Sequence, residues 1–449
     1  MTSRPEPDVA RTGRLARGGV RPDERALAPD LARGCMLLLI VLSNTAFHLW
    51  AARHGASGWH PVDGSPLDRA VQFLMITMLD LRVYPLFAFL FGYGMMQLFL
   101  RQTAAGTTDR TAARLVRRRG LWLIVFGFAH AALLMAGDII GSYGLMSLVL
   151  GWLFIRRGNR TLLVWASIAV AVLVVATVPA IHALLTGGLG ELGEAGTEPS
   201  TVFYAAGEAD LFAAVGTRLA TWSFVTLGGG LLSAPGYAMM LLAFLAARRR
   251  VLEEPGKHLR LLRWTAVIGV TVGWLGGLPA ALAHIGVWQV PPAAVSETGA
   301  LRLIQDGTGI GGGLGYVALF ALIAYRLSGR TRQARAVVAV AAVGRRSLSS
   351  YLTHSLIFSP LLAAWGLGLG ASLGSTTMAM FGVAVWLVTV VGAYVLDRTG
   401  RSGPAEALLR RLVYGRVGRG PADPPSLTPV GSRPGVPRTG VLTEEKSNS

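Results

Sequence analysis

The sequence predicts an all-α polytopic membrane protein with about ten transmembrane helices and both termini in the cytoplasm. Of its 449 residues, 52% are hydrophobic and only 15% are charged. A water-soluble chain of this composition would expose large apolar patches, which soluble proteins avoid. The apolar residues also fall into runs of about 20, the length of helix that crosses a hydrocarbon layer of about 30 Å. Both observations indicate that the lipid bilayer surrounds the fold.

The apolar runs predict the helices in chain order, and clusters of arginine or turn-forming residues separate them. A further apolar segment at 67–82 carries five charged or amide side chains, so it is predicted to be an amphipathic helix in the outer membrane interface. The ten predicted spans are 31–51, 84–101, 117–136, 139–155, 161–185, 224–247, 263–285, 308–326, 347–369 and 376–396.

The orientation follows from the basic residues, which are concentrated on cytoplasmic loops in bacterial membrane proteins. The chain has 42 lysine and arginine residues, and the predicted topology places all but five of them on the cytoplasmic side. An eleventh span at 67–82 would turn the arginine-rich loop at 101–119 outward. The net charge of +18 is therefore interpreted as a topology signal, and no nucleic-acid partner is predicted.

The chain divides into three parts. Residues 1–26 and 415–449 are rich in proline, glycine, arginine and serine and are predicted to be disordered cytoplasmic tails. Residues 27–414 form the predicted helical membrane domain. Its longest outer loop, 186–221, is mildly acidic and is interpreted as a solvated connection or as a cap over a site.

Several kinds of site are not predicted. The single cysteine, Cys35, excludes an internal disulfide, and no cysteine and histidine cluster has the spacing of a metal site. The glycine-rich run that ends at Gly315 lacks the lysine of a phosphate-binding loop. Gly307, Gly311 and Gly315 instead repeat every four residues, which predicts a smooth ridge for close helix packing.

Polar side chains inside membrane helices are costly and normally face the protein interior, so candidate sites are sought among them. In the first helix, Arg33 and Asn44 are separated by eleven positions, which places them about 20° apart on one helix face. His48 follows four residues later, and Asp30 can pair with Arg33. This face predicts a binding surface. Alternatively, Asp30 caps the helix, Arg33 reaches the lipid headgroups and His48 lies at the interface.

His130 ends the third helix, and Asp138 precedes the fourth at the same predicted depth. A carboxylate that orients an imidazole forms a general-base pair, so both are candidate catalytic residues, with His48 as a further candidate. The structural alternative is that Asp138 caps its helix and His130 bonds to a neighbouring helix.

A second polar stripe opens the ninth helix. Ser347, Tyr351 and His354 share one helix face, and Arg345 and Arg346 precede them at the cytoplasmic end. The pattern predicts a site for a polar, anionic ligand entering from the cytoplasm. The alternative is that the hydroxyls join helices and the arginines are topology signals.

Five segments in order along the chain resemble the YeiB-like bacterial membrane proteins, whose C-terminal half is known as domain of unknown function 418. The resemblance covers residues 25 to 414, with about 230–414 matching that domain, and implies a location in the bacterial cytoplasmic membrane. The segments are Asp30 to Gly34 with Asn44, Pro85 to Gly94, Arg117 to His130 with Gly137 to Tyr143, Gly344 to Ser355, and Gly403 to Tyr414.

The resemblance also implies a distant relation to the transmembrane acyltransferases. These pass an acyl group from a cytoplasmic thioester donor such as acetyl-CoA to an acceptor beyond the membrane. Arg33 matches their first-helix arginine, but Asn44 stands where they have a histidine. Asparagine cannot act as a base, so that role passes to His48 or His130. His354 stands where the family more often has glutamine.

The sequence thus predicts an acyltransferase with an unknown small-molecule acceptor, an acyl-thioester co-substrate and no tightly bound cofactor. Two alternatives stay open. In a transporter or exporter the same polar groups would form a path for a solute. A non-catalytic membrane scaffold would use them only to hold its helices together.

Overall fold

The computed structural model describes residues 26–194, 200–328 and 334–415, so the predicted tails at 1–26 and 415–449 lie almost wholly outside the described residues. All regular secondary structure in the described ranges is helical. The helices are α1 (Leu27–Ser43), α2 (Pro66–Met78), α3 (Val83–Ala104), α4 (Asp109–Leu133), α5 (Ile140–Leu153), α6 (Asn159–Thr186), α7 (Ser200–Phe203), α8 (Leu211–Leu232), α9 (Ala234–Arg248), α10 (Leu259–His284), α11 (Pro292–Val295), α12 (Ala300–Ser328), α13 (Arg335–Arg345), α14 (Ser347–Leu362), α15 (Ser375–Arg398) and α16 (Pro404–Tyr414).

Six helical segments of the described chain are long and apolar enough to cross a membrane, which confirms the multi-pass helical class. Many of their apolar side chains are exposed, including Val175 on α6 and Phe224 on α8, as expected for surfaces that face lipid. Two shorter helices, α5 and α9, are also apolar. The number of ten spans and the orientation of the termini stay predictions. The six segments are Val83–Ala104, Asn159–Thr186, Leu211–Leu232, Pro255–His284, Pro292–Ser328 and Ser375–Arg398.

Glycine-lined contact between α10 and α12 forms one side of the core. A methyl group at Gly269 would lie 2.4 Å from the carbonyl oxygen of Gly311, so the two backbones touch along this line. The prediction of a packing ridge at Gly307, Gly311 and Gly315 is confirmed. Gly307 extends it to α6, where an added methyl group would lie 2.1 Å from the Thr177 hydroxyl.

Helix α1 ends earlier than predicted. The sequence predicts a helix over 31–51, whereas α1 stops at Ser43 and a short 3-10 turn follows over Thr45–His48. The Thr45 hydroxyl donates to the Leu42 carbonyl oxygen at 2.7 Å, a local bond that competes with helix continuation. Asn44 caps the helix, so Asn44 and His48 do not continue the α-helical face of Arg33 as predicted.

The helix predicted at 224–247 is two helices. It is interrupted at Ser233, whose hydroxyl accepts a bond from the Gly236 N–H and caps α9, while Pro235 occupies the first turn. The preceding helix α8 begins at Leu211, so the outer loop predicted at 186–221 is also wrong in its C-terminal part. The sequence reading also missed α13 and α16.

The segment predicted as an interfacial helix at 67–82 forms α2 and a turn. Asp68 closes a capping box with Ser65 at the start of α2. Gln72, Asp80 and Arg82 are buried inside the protein, so these side chains bind protein and not headgroups, whereas Arg69 is exposed. Its position relative to the membrane surface stays a prediction.

Helix α13 lies against α1 at two glycines. A methyl group at Gly34 would lie 2.1 Å from the Val340 carbonyl oxygen, and one at Gly344 would lie 1.8 Å from the Asp30 carbonyl oxygen. Backbone atoms cannot move aside as a flexible side chain can, so this crossing requires glycine on both helices.

We expect Gly344→Ala to separate α1 from α13 and to lower the free energy of unfolding by about 1–3 kcal/mol, the usual cost of overpacking. Thermal unfolding in detergent, followed by size-exclusion chromatography, measures the effect. The matched control is Gly392→Ala on α15, where an added methyl group meets nothing within 4 Å. Equal stability of the two variants would contradict the packing argument.

Candidate functional site

A cavity of about 320 Å³ lies between the N-terminal part of α1, α3, α4, the start of α5, the end of α13, α14 and α16. Its polar wall is strongly basic, since only Asp30 and Glu406 contribute carboxylates among the residues that line it. Such a wall attracts an anion and offers it charge-assisted hydrogen bonds. The lining arginines are Arg33, Arg101, Arg119, Arg345 and Arg410.

Arg33 reaches the cavity from the second turn of α1. Its guanidinium lies 3.4 Å from Asp30, as the spacing predicts, and 3.4 Å from the carbonyl oxygen of Leu90 on α3. Arg119 enters from α4, with its guanidinium carbon 5.3 Å from the centre of the Phe91 ring. The two cations therefore approach the cavity from different helices.

The two predicted arginines at the start of α14 differ in position. Arg345 lines the cavity, whereas Arg346 is buried outside it. Both pair with Asp397 on α15, at 2.7 Å from Arg345 and 3.2 Å from Arg346. Arg346 also donates to the Arg401 carbonyl oxygen at 2.7 Å. Arg346 thus links α15 to the start of α14. Arg345 pairs with Asp397 and also lines the cavity.

Glu406 on α16 closes the floor of the cavity. Its carboxylate accepts the backbone N–H groups of Leu348 at 2.8 Å and Ser349 at 3.1 Å, so it caps the N-terminus of α14. The Ser349 hydroxyl also donates to Glu406 and accepts the Ala405 N–H at 3.0 Å. These bonds join the segments near 344–355 and 403–414.

The inner end of the cavity is apolar and aromatic. Met36, Phe87, Leu90 and Leu123 line it, and the Tyr143 hydroxyl donates to the Tyr84 carbonyl oxygen at 3.1 Å behind it. Charged groups at one end and apolar groups at the other suit a ligand with an anionic head and an uncharged arm.

His130 and Asp138 form the predicted pair. The imidazole Nδ1 lies 3.0 Å from Asp138 Oδ1, and both side chains are fully buried. Asp138 Oδ2 accepts the Gly141 N–H at 2.8 Å and the Trp222 indole N–H at 3.2 Å. Asp138 therefore accepts an N–H of the first turn of α5 and also orients His130, and a catalytic role of the pair stays a prediction.

The pair fixes the tautomer of the histidine. An ionised carboxylate only accepts, so Nδ1 carries the proton toward Asp138 and the lone pair of the neutral ring lies on Nε2. His130 Nε2 has no hydrogen-bond partner within the described part of the chain. A buried imidazole with an oriented, unpartnered Nε2 has the arrangement of a general base.

Tyr351 lies beside His130. It lines the cavity together with Ser347, and its ring centre lies 5.2 Å from that of His130. The residues of the polar stripe predicted on α14 therefore have different surroundings. Ser347 and Tyr351 face the cavity, whereas His354 is buried against α15, with Nε2 3.2 Å from the Thr389 hydroxyl.

His48 and Asn44 are not brought to the cavity. The His48 ring contacts Phe358 edge to face with centres 5.2 Å apart, and it lines a separate small space beside Met135. Asn44 only ends α1. Of the two histidines that the sequence offered as bases, His130 is the one that the described structure pairs with a carboxylate.

A second cavity, of about 240 Å³, lies at the other end of α1 and α3. It is bounded by Asp80, just before α3, and by His60 from the preceding loop. These two side chains lie 2.7 Å apart. Sequence reasoning missed this pair, although a carboxylate within the apolar segment 67–82 was a signal for it.

The fold and the basic cavity define a multi-pass helical membrane protein with a deep polar site. Residues 246–416 match the family described as "Protein of unknown function (DUF418)". The predicted resemblance to that domain is confirmed, whereas the relation to the acyltransferases stays a prediction. No solved structure matches the chain.

Two relatives extend the similarity to most of the chain. An "Uncharacterized protein YxaH" of Bacillus subtilis is 25% identical over 422 residues, which cover 87% of this chain and 95% of that protein. An "Uncharacterized protein YeiB" of Escherichia coli is 26% identical over 402 residues, covering 88% and 98%.

The two cavities provide a test of the predicted orientation, because the chain has a single cysteine to remove. In a Cys35→Ser background, we expect Arg410→Cys to react with a membrane-impermeant maleimide only in inverted vesicles. Gln289→Cys, at the edge of the second cavity, should react only in intact cells. We expect this orientation because it places 37 of the 42 basic residues on the cytoplasmic side. The cysteine-free background is the control, and the reverse pattern would invert the topology.

Proposed function

We propose that this protein transfers an acyl group from an anionic thioester donor, bound on the cytoplasmic side, to a hydroxyl or amine acceptor. The observation that carries the proposal is the His130–Asp138 pair, which lies behind Tyr351 at the inner end of the arginine-lined cavity. General-base chemistry and anion binding are thus adjacent in one site. The family resemblance to acyltransferases supports the same activity.

The basic mouth suits the donor. Arg101, Arg119 and Arg410 would meet the phosphate groups of a donor such as acetyl-CoA, since guanidinium groups bind phosphate oxygens in pairs. The apolar inner wall, which includes Met36 and Leu123, would accept the uncharged arm that ends in the thioester. The donor would then place its carbonyl carbon near Tyr351.

The reaction needs a base that takes a proton from the acceptor and later gives it to the leaving group. His130 Nε2 would remove the proton of the acceptor as its oxygen or nitrogen bonds to the thioester carbonyl carbon. The carbon–sulfur bond then breaks, and the imidazolium gives its proton to the leaving thiolate. Asp138 holds the ring in the required tautomer and stabilises its positive charge. Movement of the Tyr351 ring would open the cavity to Nε2.

We expect His130→Ala to lower the rate of labelled acyl transfer by about 10²–10⁴-fold, the usual contribution of a general base. Asp138→Asn should lower it by a comparable factor, because an amide whose oxygen accepts the Gly141 N–H turns its NH2 group toward Nδ1 and leaves the ring proton on Nε2. Purified protein in liposomes with radiolabelled acetyl-CoA measures the rate.

The matched control is His182→Ala on α6, where the side chain is exposed on the outside of the bundle. It should transfer acyl groups at the wild-type rate. Equal transfer by His130→Ala and His182→Ala would remove His130 as the base.

The donor site is tested separately. Loss of a charge-assisted hydrogen bond costs about 1.5–3 kcal/mol, so Arg119→Ala should raise the KM for acetyl-CoA about tenfold or more. The KM for the acceptor should not change. Arg157→Ala, an exposed arginine at the end of α5, is the control. If both variants keep the wild-type KM, the cavity does not bind the donor.

A transporter is the second candidate, because the two cavities lie at opposite ends of α1 and α3. Arg82, just before α3, is fully buried. In that case a solute would pass along α1 and α3 without covalent change. Flux into liposomes of an unmodified solute that copurifies with the protein, unaffected by His130→Ala, would favour transport over acyl transfer.

A further inference from the structure

The second cavity is chemically unlike the first. Its walls come from the loop before α2, from α2 and the turn that follows it, from the end of α10 and from the start of α12. Where the first cavity presents five arginines, this one presents Arg302 alone among the described lining residues. Imidazole, carboxylate, amide and indole groups make up most of the rest of its polar wall.

Each charged group on this wall has a partner. Asp80 lies 2.7 Å from His60, and Glu297 accepts the Trp59 indole N–H at 3.2 Å. Arg302 lies over the Trp59 ring at 4.2 Å and pairs with Asp306 at 3.4 Å. Because each of these groups already has a partner in the protein, a charged ligand would compete with that partner and would also lose its hydration.

Two histidines, His60 and His284, line the cavity. His284 Nε2 lies 3.0 Å from the Pro61 carbonyl oxygen, which only accepts, so Nε2 carries the proton and Nδ1 of the neutral ring is the acceptor. The same argument applies to His60, whose Nε2 donates to Asp80. Gln305 adds an amide that can both donate and accept.

The remaining walls are aromatic and aliphatic. Trp59 and Trp288 line the cavity, together with Ile76, Val290 and Leu301. Indole faces pack well against the C–H groups of compact polar molecules, while hydrogen-bonding groups fix their orientation. Hydroxyl groups are the ligand groups that both donate and accept, as this wall requires.

We propose that this cavity binds a small neutral molecule with several hydroxyl groups, a polyol or a monosaccharide. The imidazoles of His60 and His284 accept its hydroxyl protons, Gln305 bonds in both directions, and Trp288 packs against its ring or chain. The proposal does not depend on acyl transfer, because it concerns binding without a donor.

The test is calorimetric titration of the full-length protein in lipid nanodiscs, since sugar-headed detergents would compete. The probes are glucose, galactose, inositol and glycerol, with glucosamine and glucuronate as matched cationic and anionic forms of one ring. We expect at least one neutral probe to bind and to bind more tightly than the charged forms. No binding by any neutral probe, or tighter binding by a charged form, would overturn the proposal.

Two variants locate the binding. Gln305→Leu keeps the side-chain size but removes the hydrogen bonds, and it should weaken binding about tenfold or more. Trp288→Ala removes the indole wall and should weaken it similarly, which keeps the test valid if Gln305→Leu fails to fold. Trp152→Ala, at a position 69% exposed on the bundle surface, is the matched control and should bind normally. Wild-type binding by both cavity variants would exclude this site.

Discussion

An ionisable group inside a helix bundle in hydrocarbon must obtain its hydrogen bonds from protein, and this constraint organises the interior of the molecule. Arg82 is fully buried and donates to the carbonyl oxygens of Gly273 and Ile76. Methyl groups at Gly277 or Gly312 would lie 2.5 Å from the Arg82 side chain. The glycines of α10 and α12 therefore let the helices touch and also make room for one guanidinium, which joins both helices to the start of α3.

The class of fold could be predicted from the sequence because the rule behind it is local. A backbone in hydrocarbon satisfies its own hydrogen bonds as helix, and apolar runs show where. The helix ends could not be predicted as well. The breaks at Asn44 and Ser233 depend on single side-chain to backbone bonds worth about 1 kcal/mol, which a hydropathy window does not detect.

The candidate site was predictable only where its residues lie on one helix or across one short turn. The 3.6-residue period placed Ser347 and Tyr351 on one face, and the turn between α4 and α5 placed His130 beside Asp138. Convergence of separate helices carries no local signal. The sequence analysis therefore interpreted three arginines of the cavity only as topology signals, namely Arg101, Arg119 and Arg410. It also did not foresee that Glu406 on α16 caps α14.

The burial of His130 is consistent with the chemistry proposed for it. A base that stood open to the cytoplasm would activate water, and a bound thioester would be hydrolysed instead of transferred. The Tyr351 ring packs beside the imidazole, while Asp138 bonds to Nδ1 and is itself held by the Trp222 indole N–H. An acceptor that displaces Tyr351 would expose His130 Nε2. The acceptor would then occupy the position next to Nε2 that water would otherwise take. The same side chain would then separate the two reactants and control when they meet.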